Sequence, residues 1–386
     1  MIVNVEFLDE HPLENVITSL NYKIDKTIFL GYESVVNERR ASTEKFLKEI
    51  CGVSEVDFCV VDDIDLAAVI DKISEKVNLE TNVGNQVFFD LTGGESLLLV
   101  AFGILSNSLR APMHMYRVET NEMFEYGYED SELLSTVAEC DPLTLNLDQY
   151  LFLYGGKINY LRQKEFKGIA DGEDTSDVEK MWKLYEEFQD KWVYYCGVFR
   201  RYPPTYGLTI NVDGSEFQKE FRKNGVNGKL EDFHDFLDKC QQLGFLKSVV
   251  HNRGCYQFTY KNQEIKDYFW DGGSVLEMYT YLVASKDTAN NDCRIGVHID
   301  WDGVIHEGSN DDVLNEIDIL SISNNLPTFI SCKIGKADQT ALYELDAVAS
   351  RFGGKYAKKV LAVAKPISTS HLLRAEEMGI EVRNML

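Results

Sequence analysis

Residues 1–118 alternate short apolar runs with amphipathic segments, and this alternation constrains the fold more than any other feature of the chain. Segments with the apolar spacing of helices separate the runs. Strands that alternate with helices in this way form parallel, doubly wound sheets. We therefore predict an α/β domain whose ligands bind beyond the carboxyl ends of the strands. The predicted strands are Ile2–Leu8, Thr27–Leu30, Asp57–Val61, Gln86–Leu91 and Met113–Val118.

Two changes of pattern divide the rest of the chain. A turn-rich stretch, Tyr126–Leu147, leads away from the first region. The next region is mostly helical and ends in a predicted hairpin, an order typical of a winged helix; the alternative is a helical spacer with one hairpin. Strands and helices then alternate again. The predicted domains are residues 1–147, 148–262 and 263–386.

Composition excludes several classes of protein. The chain carries 39 Lys or Arg against 63 Asp or Glu, a net charge of −24, which argues against broad electrostatic binding to duplex nucleic acid. A nuclease is not excluded, since carboxylates that bind Mg²⁺ or Mn²⁺ add negative charge. The eight cysteines form no CxxC pair, so a zinc site is not expected. With no secretory leader and no membrane-spanning run in the sequence, we expect a cytoplasmic protein without a membrane partner.

A pair of glycines follows the fourth predicted strand. The strand runs into Thr92-Gly93-Gly94-Glu95-Ser96, which opens a predicted helix. Paired glycines let the backbone approach a ligand closely, and a helix N-terminus offers N–H groups to a phosphate. Thr92 and Ser96 could add hydroxyl donors. The alternative is a tight turn between strand and helix without a ligand.

The run Asp90-Leu91-Thr92-Gly93-Gly94 after a buried strand resembles the signature of CARF domains, the sensors of CRISPR-linked cyclic oligoadenylates. The resemblance spans roughly residues 1–125. It implies a Rossmann-like fold and a homodimer that binds one cyclic ligand across its twofold axis. The family pattern often has a Lys two positions after the second glycine, where this chain has Ser96. The resemblance also places two other strand-end loops around the ligand, with residues Asp9, Glu10, His11, Gly31, Tyr32 and Ser34.

Near the C-terminus, two consecutive apolar strands carry polar residues. Asp318 lies between Ile317 and Ile319, and Lys333 ends the next strand. The short connection Ser323–Pro327 favours an antiparallel hairpin, which would bring Asp318 and Lys333 close together. The carboxylate could hold a divalent cation, and Lys333 could stabilise the attacking water or the charge that develops on the phosphate. Upstream, Glu277 on a predicted helix, Ser274–Ala284, could complete the metal site.

This pattern resembles the PD-(D/E)xK, restriction-endonuclease-like superfamily, with a glutamate on a helix followed by a hairpin that carries the remaining residues. Glu277, Asp318 and Lys333 match in order and in element type. The second acidic position of the pattern is Ser331 here. The backbone carbonyl of Cys332, the Glu316 carboxylate or water could compensate as a metal ligand.

A sensor fold followed by a nuclease fold resembles the CRISPR ancillary nucleases. This resemblance implies a nuclease of type III CRISPR antiviral defence, activated by cyclic tetra-adenylate, dependent on Mn²⁺ or Mg²⁺, and acting on single-stranded DNA, RNA or both. One alternative is a ligand-controlled DNA-binding regulator with an inactive nuclease-like domain, which Ser331 favours. Another is an enzyme of nucleotide metabolism, although the chain lacks a dinucleotide-binding fingerprint.

Overall fold

The computed structural model describes all residues except 62–64, 119, 131, 141–142, 163–174, 203, 205, 216–218, 220–229, 253 and 307–313. The chain forms two compact units. The N-terminal unit comprises residues 1–157 and 301–304, and the C-terminal unit comprises residues 158–300 and 305–386. Within the described part of the chain, no helix is long and apolar enough to cross a membrane.

A seven-stranded sheet organises the N-terminal unit, in the order β3-β2-β1-β4-β5-β6-β7. The first five strands in this order are parallel, which confirms the predicted doubly wound sheet. The central strands are buried on both faces, as near-continuous apolar runs require. The strands are β1 (Ile2–Phe7), β2 (Lys26–Gly31), β3 (Glu55–Val60), β4 (Gln86–Asp90), β5 (Met113–Arg117), β6 (Glu122–Glu129) and β7 (Glu132–Val137).

Helices connect the parallel strands and cover their apolar side chains. Val3, Val5 and Phe89 of the sheet pack with Val69 and Phe102 of the helices in one core. A single turn of π-helix, Leu47–Cys51, follows the second helix. The helices are α1 (Glu14–Asn21), α2 (Glu33–Phe46), α3 (Leu66–Asn82), α4 (Ser96–Leu109) and α5 (Leu147–Leu153).

The prediction of a turn-rich stretch from Tyr126 was wrong for the first part of that stretch. Strands β6 and β7 form an antiparallel extension of the sheet. Every residue of β7 is exposed, so the strand lacks the alternation of buried and exposed positions that reveals a strand in a sequence.

The C-terminal unit begins with helices and a small antiparallel sheet of order β10-β11-β9. The hairpin β10–β11 follows a helix, and the earlier strand β9 pairs with β11, an arrangement like that of a winged helix. These elements are α6 (Ser176–Phe188), α7 (Trp192–Arg201), β9 (Thr209–Asp213), α8 (Leu230–Gln242), β10 (Leu246–Asn252) and β11 (Cys255–Tyr260).

A six-stranded mixed sheet of order β16-β15-β14-β13-β12-β8 forms the rest of this unit. Strands β12, β13 and β14 are antiparallel neighbours, and β14, β15 and β16 are parallel. The sequence missed β16, a short edge strand with one buried residue. The elements are β8 (Lys157–Ile158), α9 (Gln263–Trp270), α10 (Ser274–Ser285), β12 (Asp292–Asp300), β13 (Leu314–Ser323), β14 (Leu326–Lys333), α11 (Gln339–Gly353), β15 (Lys358–Val363), α12 (Thr369–Glu377) and β16 (Ile380–Asn384).

One apolar core joins the helices of the middle region to the mixed sheet. The rings of Trp182 and Tyr279 stack with centroids 4.5 Å apart. The indole N–H of Trp192 donates to the carbonyl of Gly272 at 2.9 Å. Aromatic contacts and a satisfied indole therefore fix the middle helices against helix α10 and its preceding turn.

Candidate functional site

The hairpin β13–β14 sets the geometry of the predicted catalytic residues. Its turn residues, Asn324 and Asn325, both have positive φ angles, of 49° and 62°. Two residues with positive φ form the turn that matches the twist of a tight hairpin, and asparagine tolerates this conformation. The turn pairs Ser323 with Leu326 and so brings Asp318 opposite the end of β14, which confirms the predicted hairpin.

Asp318 is held by the neighbouring strand. The backbone N–H of Cys332 donates to Asp318 Oδ2 at 2.6 Å, and the Ser331 hydroxyl donates to the same oxygen at 3.2 Å. Ile317 and Ile319 are buried, whereas Asp318 between them is half-buried. Both described hydrogen bonds use one carboxylate oxygen, so the orientation of the carboxylate is defined before any ligand binds.

Burial raises the pKa of Asp318 above its ordinary value, and the Glu316 carboxylate raises it further. The Cys332 N–H, the Lys333 ammonium and the Ser331 hydroxyl each favour the ionised carboxylate and limit the rise. A neighbouring cation would do the same more strongly, because it stabilises the charged form directly.

A cavity of about 280 Å³ opens beside Asp318. Its apolar lining residues are Ile317 of β13 with Leu345 and Val348 of helix α11. Of the predicted catalytic residues, the structure brings three into this cavity: Asp318, Ser331 and Lys333. Glu344, an exposed residue on the flank of α11, was not predicted from the sequence, because only the apolar positions of that helix carry a pattern. The polar lining residues are Asn315, Glu316, Asp318, Ser331, Lys333 and Glu344.

Glu277 does not line this cavity. It is buried on helix α10, with 9% of its surface exposed, in the first turn after Gly273. The Cys332 thiol is buried and is affected by the charges of both predicted acidic ligands. Burial raises the pKa of that thiol, and the charges of Asp318 and then Glu277 raise it further. The role of Glu277 as a metal ligand stays a prediction.

The donor set at Asp318 suits a hard divalent cation. Within the described ranges, no group of three or more His, Cys, Asp and Glu side chains is arranged to hold a metal ion. Mg²⁺ does not require such a group, because it keeps several waters and is often bound by one or two carboxylates together with substrate phosphates. The Asp318 carboxylate and the Ser331 hydroxyl, with the Glu316 and Glu344 carboxylates on the same cavity, are oxygen ligands of this kind.

In the N-terminal unit, the predicted ligand loops lie at one edge of the sheet. Strands β2, β1 and β4 are adjacent and parallel, so the loops after them leave the same edge. A Cβ at Gly31 would lie 3.1 Å from the Cβ of Leu8, and the Tyr32 ring packs edge-on against Phe7 at 5.7 Å. The structure thus brings together all three predicted loops, whose residues are Asp9, Glu10, His11, Gly31, Tyr32, Ser34 and Thr92 to Ser96.

The first loop is shaped by its own side chains. The Asp9 carboxylate accepts the His11 N–H at 2.8 Å, and the Asn15 side chain bonds both the N–H and the carbonyl of Asp9. Glu10 at the tip is exposed, as is Ser34 in the first turn of α2. Both side chains are accessible to a ligand at this edge.

The Thr92–Ser96 turn is tightly packed. The Thr92 hydroxyl accepts the Tyr116 N–H at 3.0 Å and lies 3.2 Å from the Thr18 hydroxyl, so it is used within the unit. Gly94 has a φ of 129°, and a Cβ there would lie 3.1 Å from the Cβ of Phe7. Glu95 caps helix α4 by accepting the N–H of Leu97 at 2.9 Å, and Ser96 is exposed. The second glycine is therefore required by backbone conformation and by close packing.

A buried polar network lies under this turn. The Asn4 amide donates to Glu6 at 2.6 Å and to Asp90 at 3.2 Å, and His114 Nε2 lies 2.8 Å from the Asn4 carbonyl oxygen. Asp90 in turn accepts the Thr92 N–H at 2.8 Å. This network was not predicted from the sequence, although polar residues within otherwise apolar strands were a visible signal.

The network shifts the pKa values of its two carboxyl groups in opposite directions. Burial raises the pKa of Glu6 well above its ordinary value, and the charges of Asp90 and Glu14 add to the rise. Burial also favours a higher pKa for Asp90, but His114 and the hydrogen bonds from Thr18 and Thr92 outweigh it, and that pKa is lowered. Asp90 therefore holds the turn as a charged acceptor.

Residues 264–384 match the family of Card1-like endonuclease domains. This matched segment covers about a third of the chain. It contains Glu277, the Asp318 hairpin and the whole cavity, so the endonuclease predicted for this region is confirmed at the level of the domain. No curated protein sequence matches the chain at a significant level.

Solved structures share the fold of the whole chain. Protein VC1899 from Vibrio cholerae matches 99% of this chain and 94% of its own, with a TM-score of 0.72 and 16% identity. Can2 from Sulfobacillus thermosulfidooxidans, solved in complex with cyclic tetra-adenylate, matches 100% of this chain and 96% of its own, with a TM-score of 0.67 and 17% identity. A type III CRISPR defence DNA nuclease activated by cyclic oligoadenylate matches 94% of this chain but 45% of its own, with a TM-score of 0.50 and 14% identity. The predicted α/β fold class, with a parallel-sheet N-terminal unit followed by helices and a C-terminal α/β domain, is confirmed.

Proposed function

We propose that this protein is a metal-dependent nuclease of type III CRISPR antiviral defence that cuts single-stranded DNA or RNA when cyclic tetra-adenylate binds its N-terminal unit. The observation that carries the proposal is the cavity beside Asp318, Ser331 and Lys333 within a Card1-like endonuclease domain. Residues 1–147 are the sensor domain in this proposal, 148–262 the linking region and 263–386 the nuclease domain.

The Asp318 carboxylate is the primary ligand of Mg²⁺ or Mn²⁺ in this proposal, with the Cys332 carbonyl and Glu277 as further ligands. A bound cation of this kind lowers the pKa of a coordinated water and neutralises charge on the phosphate. Lys333 places its ammonium in the same cavity, where a phosphate oxygen gains charge in the transition state. Ser331 orients Asp318 by donating to its Oδ2.

The sensor proposal rests on the three adjacent loops at the carboxyl edge of the first sheet. Exposed Ser96 begins helix α4, and the N–H groups of a helix N-terminus can bind a ligand phosphate. Can2, which has the same fold, was solved with cyclic tetra-adenylate. A cyclic ligand of this symmetry suits a homodimer in which each copy contributes one set of loops.

Activation requires that the ligand bind the active arrangement more tightly than the inactive one. A ligand with equal affinity for both arrangements would not change the rate of cleavage. The proposal therefore predicts that metal and substrate in turn raise the affinity for cyclic tetra-adenylate.

The test is cleavage of labelled single-stranded DNA and RNA with Mn²⁺ or Mg²⁺, with and without cyclic tetra-adenylate. Wild type should cut in the presence of the ligand, and Asp318→Ala should bind the ligand but not cut. Ligand binding without any cleavage would contradict the nuclease proposal and favour the DNA-binding regulator. Failure of cyclic oligoadenylates to raise the melting temperature would contradict the sensor proposal.

A further inference from the structure

Basic residues gather in the last part of the endonuclease domain. Residues 333–386 contain nine Lys or Arg and six Asp or Glu, whereas the whole chain has 39 and 63. A nucleic acid that approaches a chain of net charge −24 needs a local region of this kind, because only cations can replace its counterions.

Two of these lysines follow neighbouring parallel strands. Lys333 at the end of β14 pairs with Val363 at the end of β15, and the N–H of Ala364 donates to the Lys333 carbonyl at 3.3 Å. Lys336 lies three residues beyond the end of β14, and Lys365 lies two residues beyond the end of β15. Both therefore emerge at the sheet edge where Lys333 enters the Asp318 cavity.

These two side chains are accessible, and no carboxylate in the described part of the chain pairs with them. Lys336 is exposed and Lys365 partly exposed. Among the residues that the structure describes, neither forms an ion pair within 4.0 Å. By contrast, Lys359 at the other end of β15 pairs with Asp346 at 2.8 Å. The acidic residue nearest to Lys336 in the sequence is Asp338, which caps helix α11 by accepting the N–H of Ala341.

The surface between these positions is open. A Cβ at Gly335, between Lys333 and Lys336, would meet no atom within 4 Å. A phosphodiester backbone can therefore approach this loop closely. As far as the described residues go, the ammonium groups can neutralise phosphates without first breaking an internal ion pair.

We infer that Lys336 and Lys365 form a phosphate track that leads a single-stranded nucleic acid into the Asp318 cavity. This inference rests on the proposed nuclease function and adds positioning residues outside the catalytic cavity. The track contacts backbone phosphates, so it serves DNA and RNA alike and does not select a base sequence.

The experiment measures binding of labelled 20-nucleotide DNA and RNA strands to the full chain carrying Asp318→Asn, with Mg²⁺ and cyclic tetra-adenylate. Lys336→Ala, Lys365→Ala and their combination are compared with Lys358→Ala. Lys358 is an exposed lysine at the opposite end of β15, so its removal makes the same change in net charge. Each track variant should lower the slope of log Kd against log salt by about 0.7, and the double variant by about 1.4.

Lys358→Ala should leave that slope unchanged. In the cleavage-competent chain, the track variants should raise KM and retain kcat, because they act on binding outside the reacting phosphate. Equal effects of Lys336→Ala and Lys358→Ala would overturn the track and indicate a long-range charge effect. An unchanged slope in a protein that still cuts would overturn the track alone. Absence of both binding and cleavage would overturn the nuclease proposal with it.

Discussion

The backbone N–H of Cys332 donates a 2.6 Å hydrogen bond to Oδ2 of Asp318, across the two strands of a hairpin. A backbone donor holds the carboxylate whatever side chain occupies position 332. The adjacent hydroxyl of Ser331 adds a longer bond to the same oxygen, at 3.2 Å. Ser331, at the position where the PD-(D/E)xK pattern that this sequence resembles has a second acid, thus supports Asp318 here.

Replacements at Ser331 distinguish its hydrogen bond to Asp318 from a role of this position as a metal ligand. Ser331→Ala removes one hydrogen bond, worth about 0.5–1.5 kcal/mol, so cleavage should fall by less than about tenfold. Ser331→Glu should instead lower the metal concentration at half-maximal cleavage, because a cation gains a second carboxylate. Metal titrations of both variants measure the effect. An identical metal requirement in Ser331→Glu and wild type would show that this position does not face the cation.

Lys333 carries the positive charge in the cavity. Lys333→Met keeps much of the apolar stem and removes the ammonium, so kcat should fall by about 10²–10³-fold. Lys358→Met is the matched control at the far end of the sheet and should keep its kcat. Single-turnover cleavage measures both. An unchanged kcat in Lys333→Met would show that the Lys333 ammonium does not contribute to the reaction.

Gly94 is expected to tolerate no side chain. A Cβ would lie 3.1 Å from the Cβ of Phe7 at a φ of 129°, so Gly94→Ala should strain the turn by about 1–3 kcal/mol. Calorimetric binding of cyclic tetra-adenylate should weaken and the melting temperature should fall. Gly84→Ala is the control, because Gly84 also has a positive φ, of 84°, but a Cβ there meets no atom within 4 Å. Equal ligand affinity in the two variants would exclude the turn from the ligand site.

Glu6 makes stability depend on pH. Its pKa is raised by burial, so the native state holds a proton that the unfolded state releases as pH rises above the ordinary carboxyl value. The contribution of Glu6 to the free energy of unfolding therefore falls as pH rises, until the pH reaches the pKa of Glu6 in the folded protein. Glu6→Gln removes the ionisable group and with it this loss of stability. The amide oxygen of the glutamine can still accept the hydrogen bond from Asn4. Its melting temperature relative to wild type should be higher at pH 8 than at pH 5.

Urea unfolding at both pH values checks the sign. The pKa of Asp90 shifts in the opposite direction. The contribution of Asp90 to stability is lost as pH falls through that lowered pKa, so Asp90 does not make stability fall as pH rises. A stability difference between Glu6→Gln and wild type that does not change with pH would contradict a raised pKa of Glu6.

The sequence predicted the parallel strands of the first sheet and the hairpin of Asp318 because these elements have strong local patterns. Fully buried strands read as apolar runs, and a short connection between two such runs leaves few alternatives to a hairpin. The edge strands β7 and β16 have few or no buried residues, so no periodic signal marked them.

By itself, the sequence determined the parallel strands of the first sheet, that Asp318 and Lys333 lie on one hairpin, and that paired glycines follow a buried strand. These properties depend on neighbours within a few residues. Only the tertiary structure decided that Glu344 joins the Asp318 cavity, that Glu277 lies outside its lining, and that Lys336 and Lys365 share one edge. Such relationships join residues from separate elements, and strand order and helix packing fix them through the burial of a common core.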